Sequence, residues 1–234
     1  MLTIRKSEER GHANYGWLDT NYSFSFANYY DPKHMGFRAL RVINDDRVAA
    51  GRGFGTHPHD NMEILTYVLE GKIAHKDSMG HQEEIGPNEV QYMSAGTGLT
   101  HSEFNPSATE AVHLLQIWIE PQKVGVKPQY GQFSFDPKEK QNKLKLIASG
   151  EEVAGAARIN QDAKVYVTEL SEGAEVGYEL GKARHAWVHV AQGKVELNGQ
   201  VLTTGDGAAV SGEAALALRG LGKEKNEVLI FDLA

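Results

Sequence analysis

Gly51-Arg52-Gly53-Phe54-Gly55-Thr56-His57-Pro58-His59 sets two imidazoles at i and i+2, and Gly96-Thr97-Gly98-Leu99-Thr100-His101-Ser102-Glu103 repeats that spacing with a histidine and a carboxylate. On a β-strand, residues two apart share a face and the residue between them points away. Pro58 cannot donate a ladder hydrogen bond, which places the first pair at a sheet edge or a strand start. If the two segments are neighbouring strands of one barrel, His57, His59, His101 and Glu103 converge on its interior from opposite sides. Metal–nitrogen bonds of about 2.1 Å then require no distortion of the backbone. Three neutral imidazoles and one carboxylate leave a divalent ion with a single net positive charge. Positions remain for water or substrate, as a catalytic site requires. Gly51, Gly53 and Gly55 precede the first pair, and Gly96 and Gly98 the second. Glycines there permit the bends that aim side chains inward.

Outward from these pairs the chain has the punctuation of an antiparallel β protein. Its 25 glycines greatly outnumber its 7 prolines and fall between short alternating apolar segments. Strands are expected at 39–43, 64–69, 90–93 and 113–119, and later at 165–170, 186–190, 194–197 and 228–233. Helical periodicity is weak, leaving room only for a short helix at 138–143 or 151–156. Residues 121–143 hold Pro121, Pro128 and Pro137 among lysines, glutamines and glycines. A stretch of that composition is expected to be a linker, since long structureless loops are uncommon inside one domain.

A faint internal repeat supports two similar β-barrels or sandwiches. Tyr67-Val68-Leu69-Glu70-Gly71-Lys72-Ile73 resembles Val190-Ala191-Gln192-Gly193-Lys194-Val195. Each is followed by a second turn, at Ser78-Met79-Gly80 and at Asn198-Gly199, and by a third, at Gly86-Pro87-Asn88 and at Gly205-Asp206-Gly207. Asn-Gly is a strong hairpin signal because both residues tolerate positive φ.

Composition narrows the chemistry. With no cysteine, disulfides, thiolate zinc sites, iron–sulfur clusters and cysteine nucleophiles are excluded. Any metal must be held by imidazole and carboxylate, which suits Fe, Mn, Ni, Cu, Zn or Co. The formal charge of −7 argues against direct nucleic-acid contact. No apolar run approaches the roughly 20 residues that span a membrane. The N-terminus is charged at once and lacks an apolar signal core, so a cytoplasmic protein is expected.

The motifs resemble those of a known family. Gly51, His57, His59, Glu63 and Gly71 follow the first cupin motif with one extra residue before the last glycine. Gly98, His101 and Asn105 follow the end of the second, with Gly96 where a proline is usual. More narrowly, the first 120 or so residues resemble the pirin family. The resemblance runs through Arg10-Gly11-His12, Phe24-Ser25-Phe26, Tyr30-Asp31-Pro32, Leu40-Arg41-Val42-Ile43-Asn44-Asp45-Asp46 and the His57 segment. It continues through Glu63-Ile64-Leu65-Thr66-Tyr67-Val68-Leu69-Glu70-Gly71, His75-Lys76-Asp77-Ser78-Met79-Gly80 and Gln91-Tyr92-Met93-Ser94-Ala95-Gly96-Thr97-Gly98. The C-terminal half resembles the family far more weakly.

This resemblance implies an all-β bicupin: two tandem antiparallel, jelly-roll-like β-barrels with few short helices. The expected domains are 1–125, holding the metal, and 140–234, a degenerate cupin, joined by a linker at 126–139. It also implies that one divalent transition-metal ion is held by His57, His59, His101 and Glu103, whereas many cupins use the first-motif glutamate, here Glu63. Glu63 lies four residues after His59 and would share its face on an unbroken strand; otherwise it orients a histidine or faces solvent.

The implied activity, as in bacterial pirin-like quercetin 2,3-dioxygenases, is O2-dependent cleavage of the central ring of a flavonol with release of carbon monoxide. Glu103 is the expected base and Glu63 the reserve. A flat aromatic substrate needs apolar walls, for which Phe54, Met62, Met93 and Phe104 are candidates. Two alternatives stand beside this one: a redox-responsive binding or regulatory protein with a protein partner, and a cupin metalloenzyme with another small-molecule substrate. A monomer is expected.

The remaining histidines read as structural. His12 and His34 suit turns, His75 and His81 a solvated hairpin, and His113 a hydrogen-bonded core position. His185 and His189 align with Glu63 and Tyr67 rather than with His57 and His59. The second barrel's equivalents of the ligands fall near Glu179 and Gly181.

Overall fold

The strand Val112–Ile119 is buried along nearly its whole length, which suits its run of Val, Leu, Ile and Trp and marks it as a central strand covered on both faces. It lies between Leu40–Val48 and the second half of the 18-residue strand Gly53–Glu70. That long strand changes character midway. From Gly53 to Met62 it alternates between half-buried and exposed; from Leu65 to Leu69 it is continuously buried. Its first half has only one neighbour, the strand Glu89–Phe104, and so forms a rim above the closed core.

The structure is a computed structural model and describes residues 1–234. It is all-β: twenty strands, no α-helix, and two short 3-10 turns. The expected helix at 138–143 is reduced to the three-residue turn Pro137–Glu139, whose first N–H groups are capped by Asp136. Residues 151–156 form no helix.

The chain divides into two compact units. The first comprises Gly11–Phe135 with Ala157–Gln161. Its sheet runs Gly11–Asn14, Leu18–Tyr22, Leu40–Val48, Val112–Ile119, Gly53–Glu70, Glu89–Phe104, Ile73–Asp77, Gln82–Ile85. The second comprises Met1–Arg10, Asp136–Ala156 and Asp162–Ala234. One of its sheets orders Leu2–Arg5, Gly207–Ser211, His185–Gln192, Asn226–Leu233, Ala163–Leu170 and Lys145–Ser149. The other orders Glu175–Glu179, Ala215–Gly220, Lys194–Leu197 and Gln200–Thr203, and both contribute to one apolar cluster around Val188, Val195, Leu218 and Ile230.

Two expectations about organisation are corrected. The first ten residues belong to the unit built from the C-terminal half, because Leu2–Arg5 pairs with Gly207–Ser211. The stretch 126–139 is not a free linker: Gln129–Ser134 pairs in register with Glu89–Ser94. Polar, half-buried residues after Pro128 read as a loop, but they suit a strand that lies at a sheet edge.

The repeat's turns occur where expected. Gly71 and Gly193 both take positive φ just after the strands Gly53–Glu70 and His185–Gln192, and Asn198-Gly199 closes a hairpin with both residues at positive φ.

Candidate metal centre

The first-unit strands bring the two sequence pairs side by side. His57 is the direct cross-strand partner of His101, and Phe54 of Glu103. The four expected ligands therefore lie on adjacent, hydrogen-bonded strands rather than on opposite walls. The pairing is interrupted by irregularities between Phe54 and His57 and between His59 and Asn61. Bulges of this kind re-aim side chains. Asn61 adopts φ of 60°, a left-handed conformation that Asn tolerates. It also resets the parity of the strand, so Glu63 does not share the face of His59.

Three ring nitrogens meet at one point. His101 Nε2 lies 2.9 Å from His59 Nε2 and 3.0 Å from His57 Nε2. His57 Nδ1 lies 2.8 Å from the Gly55 carbonyl, an acceptor only, so that nitrogen carries the proton and Nε2 presents its lone pair to the cluster. Burial, followed by the nearby His57 and His59 rings, pushes His101 down to about 2. Burial and then His57 push His59 down to about 4. At neutral pH those two rings are therefore neutral.

Neutral imidazoles that turn nitrogens toward one another at 3 Å have too few protons to satisfy every contact; a cation among them satisfies all three. Nitrogens about 2.1 Å from one ion and at right angles around it would lie about 3.0 Å apart, in agreement with the spacing seen. The residues fit a divalent transition metal.

Glu103 is buried and held by donors. Gln116 Nε2 donates to both of its oxygens, at 3.0 and 2.8 Å, and Thr66 Oγ1 donates to Oε1 at 3.3 Å. Burial raises its pKa, against the lowering effect of Gln116. A buried carboxylate with raised proton affinity, beside imidazoles, can bind a cation or accept a proton.

Glu63 has a different fate. It is fully buried, and its two oxygens accept from Tyr92 Oη (2.9 Å), Ser94 Oγ (2.7 Å), Asn160 N (3.0 Å) and Asn160 Nδ2 (3.2 Å). It orients no histidine and faces no solvent. With four donors around it, it ties residues 157–161 to the first unit's sheet.

His75 was missed by sequence reasoning. It is buried rather than solvated, and its Nδ1 lies 3.3 Å from His101 Nδ1. Its cross-strand partner is Glu103, while Asp77 pairs with His101. Asp77 Oδ2 is 3.4 Å from His75 Nε2 and 2.8 Å from His81 Nδ1. Histidine 75, His101 and Glu103 form a second group close enough to share an ion. The sequence signal was the alternation Ile73, His75, Asp77, which are all buried on one face.

The cluster opens into a cavity of about 390 Å³, within the range of small-molecule sites. Phe26, Phe54, Ile64 and Trp118 supply apolar wall; Asn44, Asp46 and Gln116 supply polar groups. Trp118 meets His59 edge-on at 4.9 Å and Phe26 at 5.2 Å. Of the four expected wall residues only Phe54 lies on this cavity. Met93 is buried in an apolar cluster with Ile64, Ala95 and Leu99; Met62 packs on that cluster, and Phe104 is half exposed. Alternation explains Phe104, which follows the inward-pointing Glu103 and so points outward.

Elsewhere, His113 Nε2 bonds Asp45 at 2.7 Å in the core, as expected. His12 and His34 sit 2.6 Å from Asp19 and Asp31. His185 Nδ1 bonds Ser211 at 2.7 Å.

The family model described as Pirin matches residues 3–119, and one described as Quercetinase C-terminal cupin domain matches 146–233. Among curated proteins, the Escherichia coli (strain K12) quercetin 2,3-dioxygenase is 48% identical over 233 residues, covering 100% of this chain and 99% of its own. A putative quercetin 2,3-dioxygenase of Pseudomonas aeruginosa is 43% identical, with 100% of both chains covered. The crystal structure of the bacterial pirin YhhW from Escherichia coli in complex with nickel(II) superposes with a TM-score of 0.93 at 48% identity, covering 100% of this chain and 99% of that one.

Proposed function

The chain belongs to the pirin family, with the fold of a bicupin, and on that premise we propose that it is a metal-dependent dioxygenase that opens the central ring of quercetin-like flavonols with O2 and releases carbon monoxide. The observation that carries this is the convergence of three Nε2 atoms within 2.9–3.0 Å contacts on one aromatic-walled cavity. The names of relatives that share full-length identity support the substrate class.

His57, His59 and His101 would hold the ion, with Glu103 as the fourth ligand. When bound, the ion supplies a Lewis-acidic centre that lowers the pKa of a coordinated hydroxyl. The Gly55 carbonyl fixes the His57 tautomer, so that its Nε2 stays available. Glu103, with its raised proton affinity, takes the proton from the substrate's 3-hydroxyl. Gln116 and Thr66 keep that carboxylate in place through three hydrogen bonds. Phe26, Phe54 and Trp118 bind the flat rings and exclude water.

Metal analysis of the purified protein should find about one equivalent of ion, lost in His57→Ala and His101→Ala. Aerobic incubation with quercetin should remove the flavonol absorbance and yield carbon monoxide in step with it. Bleaching without carbon monoxide would reject the reaction. Glu103→Gln should slow turnover by about 100-fold or more, whereas Glu63→Gln should leave turnover nearly intact and lower stability. The reverse order would transfer the role of base to Glu63.

A further inference from the structure

Two polar side chains of the cavity are not accounted for by metal binding or by the handling of the hydroxyl proton. Asn44 and Asp46 lie on the strand Leu40–Val48, two residues apart and therefore on one face, and both line the cavity. They are 4% and 3% exposed. The buried oxygens Asn44 Oδ1 and Asp46 Oδ1 have no hydrogen-bond partner in the protein. Most buried polar atoms are paired, and leaving one unpaired costs stability. A cavity wall with two such atoms is built for a partner that arrives from outside.

Their position shows what that partner is. Asn44 is cross-strand to Gln116, which in turn is cross-strand to Thr66. Gln116 and Thr66 spend their side chains on Glu103 and on each other. The polar row thus continues from the Glu103 end to Asn44, where it stops unpaired. A ligand that is flat and aromatic against Phe26 and Trp118, yet carries polar groups at its edge, meets both surfaces.

We infer that Asn44 and Asp46 are specificity-determining residues that hydrogen-bond phenolic hydroxyl groups of the substrate at positions remote from the hydroxyl facing the metal cluster. This rests on the flavonol reading given above. The ligand class is a polyhydroxylated aromatic rather than an unsubstituted one. Burial pushes the Asp46 carboxyl group up, against the lowering effect of a hydrogen bond with Thr20. A site whose buried polar groups depend on substrate hydroxyls discriminates strongly against analogues that lack them.

The test is anaerobic binding to the metal-loaded protein, followed by quenching of tryptophan fluorescence, since Trp118 lines the same cavity. The probes are quercetin and 3-hydroxyflavone, which share the 3-hydroxyl and differ in the phenolic groups. Wild type should prefer quercetin. Asn44→Ala and Asp46→Ala should each weaken quercetin binding by about tenfold while leaving 3-hydroxyflavone binding unchanged. Asp46→Asn, which keeps the shape, provides a second variant should the alanine be poorly folded. A structural role alone would weaken both ligands alike and lower the melting temperature; that result, or unchanged discrimination, overturns the inference. Wild type that binds both ligands without preference overturns it too, while leaving the dioxygenase reading in place. Wild type that binds neither removes the flavonol reading and this inference with it.

Discussion

Asp46 and His59 face one cavity and titrate in opposite senses. Asp46 has a folded pKa raised from 3.8 to about 7, so the folded chain holds its proton where the unfolded chain has lost it. Its contribution to stability is present below about pH 4 and is lost as pH rises through about 7. His59 has a folded pKa lowered from 6.5 to about 4, so stability is lost as pH falls from 6.5 toward 4. Asp46→Asn should therefore gain on wild type between pH 5 and pH 8, by roughly 2–3 kcal/mol. Urea unfolding of both metal-free proteins at the two pH values checks this; a constant difference would show that Asp46 is not the buried acid described. Gln116 acts at the same scale through Glu103. Gln116→Leu removes two of the three hydrogen bonds to that carboxylate, and metal affinity or turnover should fall by about 10- to 100-fold. Competition with a metal chelator measures the first quantity directly.

Strand geometry decides whether these side chains meet at all. Gly53 pairs with Phe104 at the rim, and a Cβ at that position would lie 2.1 Å from the Glu103 carbonyl oxygen and 2.6 Å from Phe104 Cα. No flexible side chain can yield there, because both obstacles are backbone. Gly53→Ala should push apart the two strands that carry His57, His59 and His101, and weaken metal retention more than it lowers the melting temperature. Metal content after dialysis, set against thermal unfolding, separates the two effects. Gly55, where an added Cβ meets nothing within 4 Å, is the control: Gly55→Ala should retain the ion. Asn61 serves the same rim in another way. Its left-handed backbone breaks the strand's alternation where the register shifts, and its Oδ1 accepts from Gly125 N at 2.8 Å. Asn61→Val combines a β-branched side chain with positive φ and should cost roughly 1–3 kcal/mol.

At the scale of the whole chain, the N-terminal ten residues serve the unit formed by the C-terminal half. Leu2–Arg5 covers the edge of Gly207–Ser211. Asp206, buried, receives Lys6 Nζ at 2.9 Å and Ser7 N at 2.8 Å. Deleting residues 1–10 uncovers that edge and strips donors from a buried carboxylate; the truncated protein should melt at lower temperature and self-associate, as light scattering would show. Nothing local in Leu2-Thr3-Ile4-Arg5 reveals a partner two hundred residues away, and the same limit runs through the site. The i, i+2 pairs, the glycine punctuation and the lack of cysteine were enough to fix an all-β fold and the three converging histidines, because strand periodicity and ligand chemistry are local properties. The Asn198-Gly199 turn was legible for the same reason. The placement of Glu63 beneath Tyr92 and Asn160, the burial of His75 beside His101, and the unpaired atoms of Asn44 and Asp46 were decided only by the tertiary structure. Each depends on a bulge that resets strand parity, or on which distant strand lies alongside, and neither is written into any short stretch of sequence.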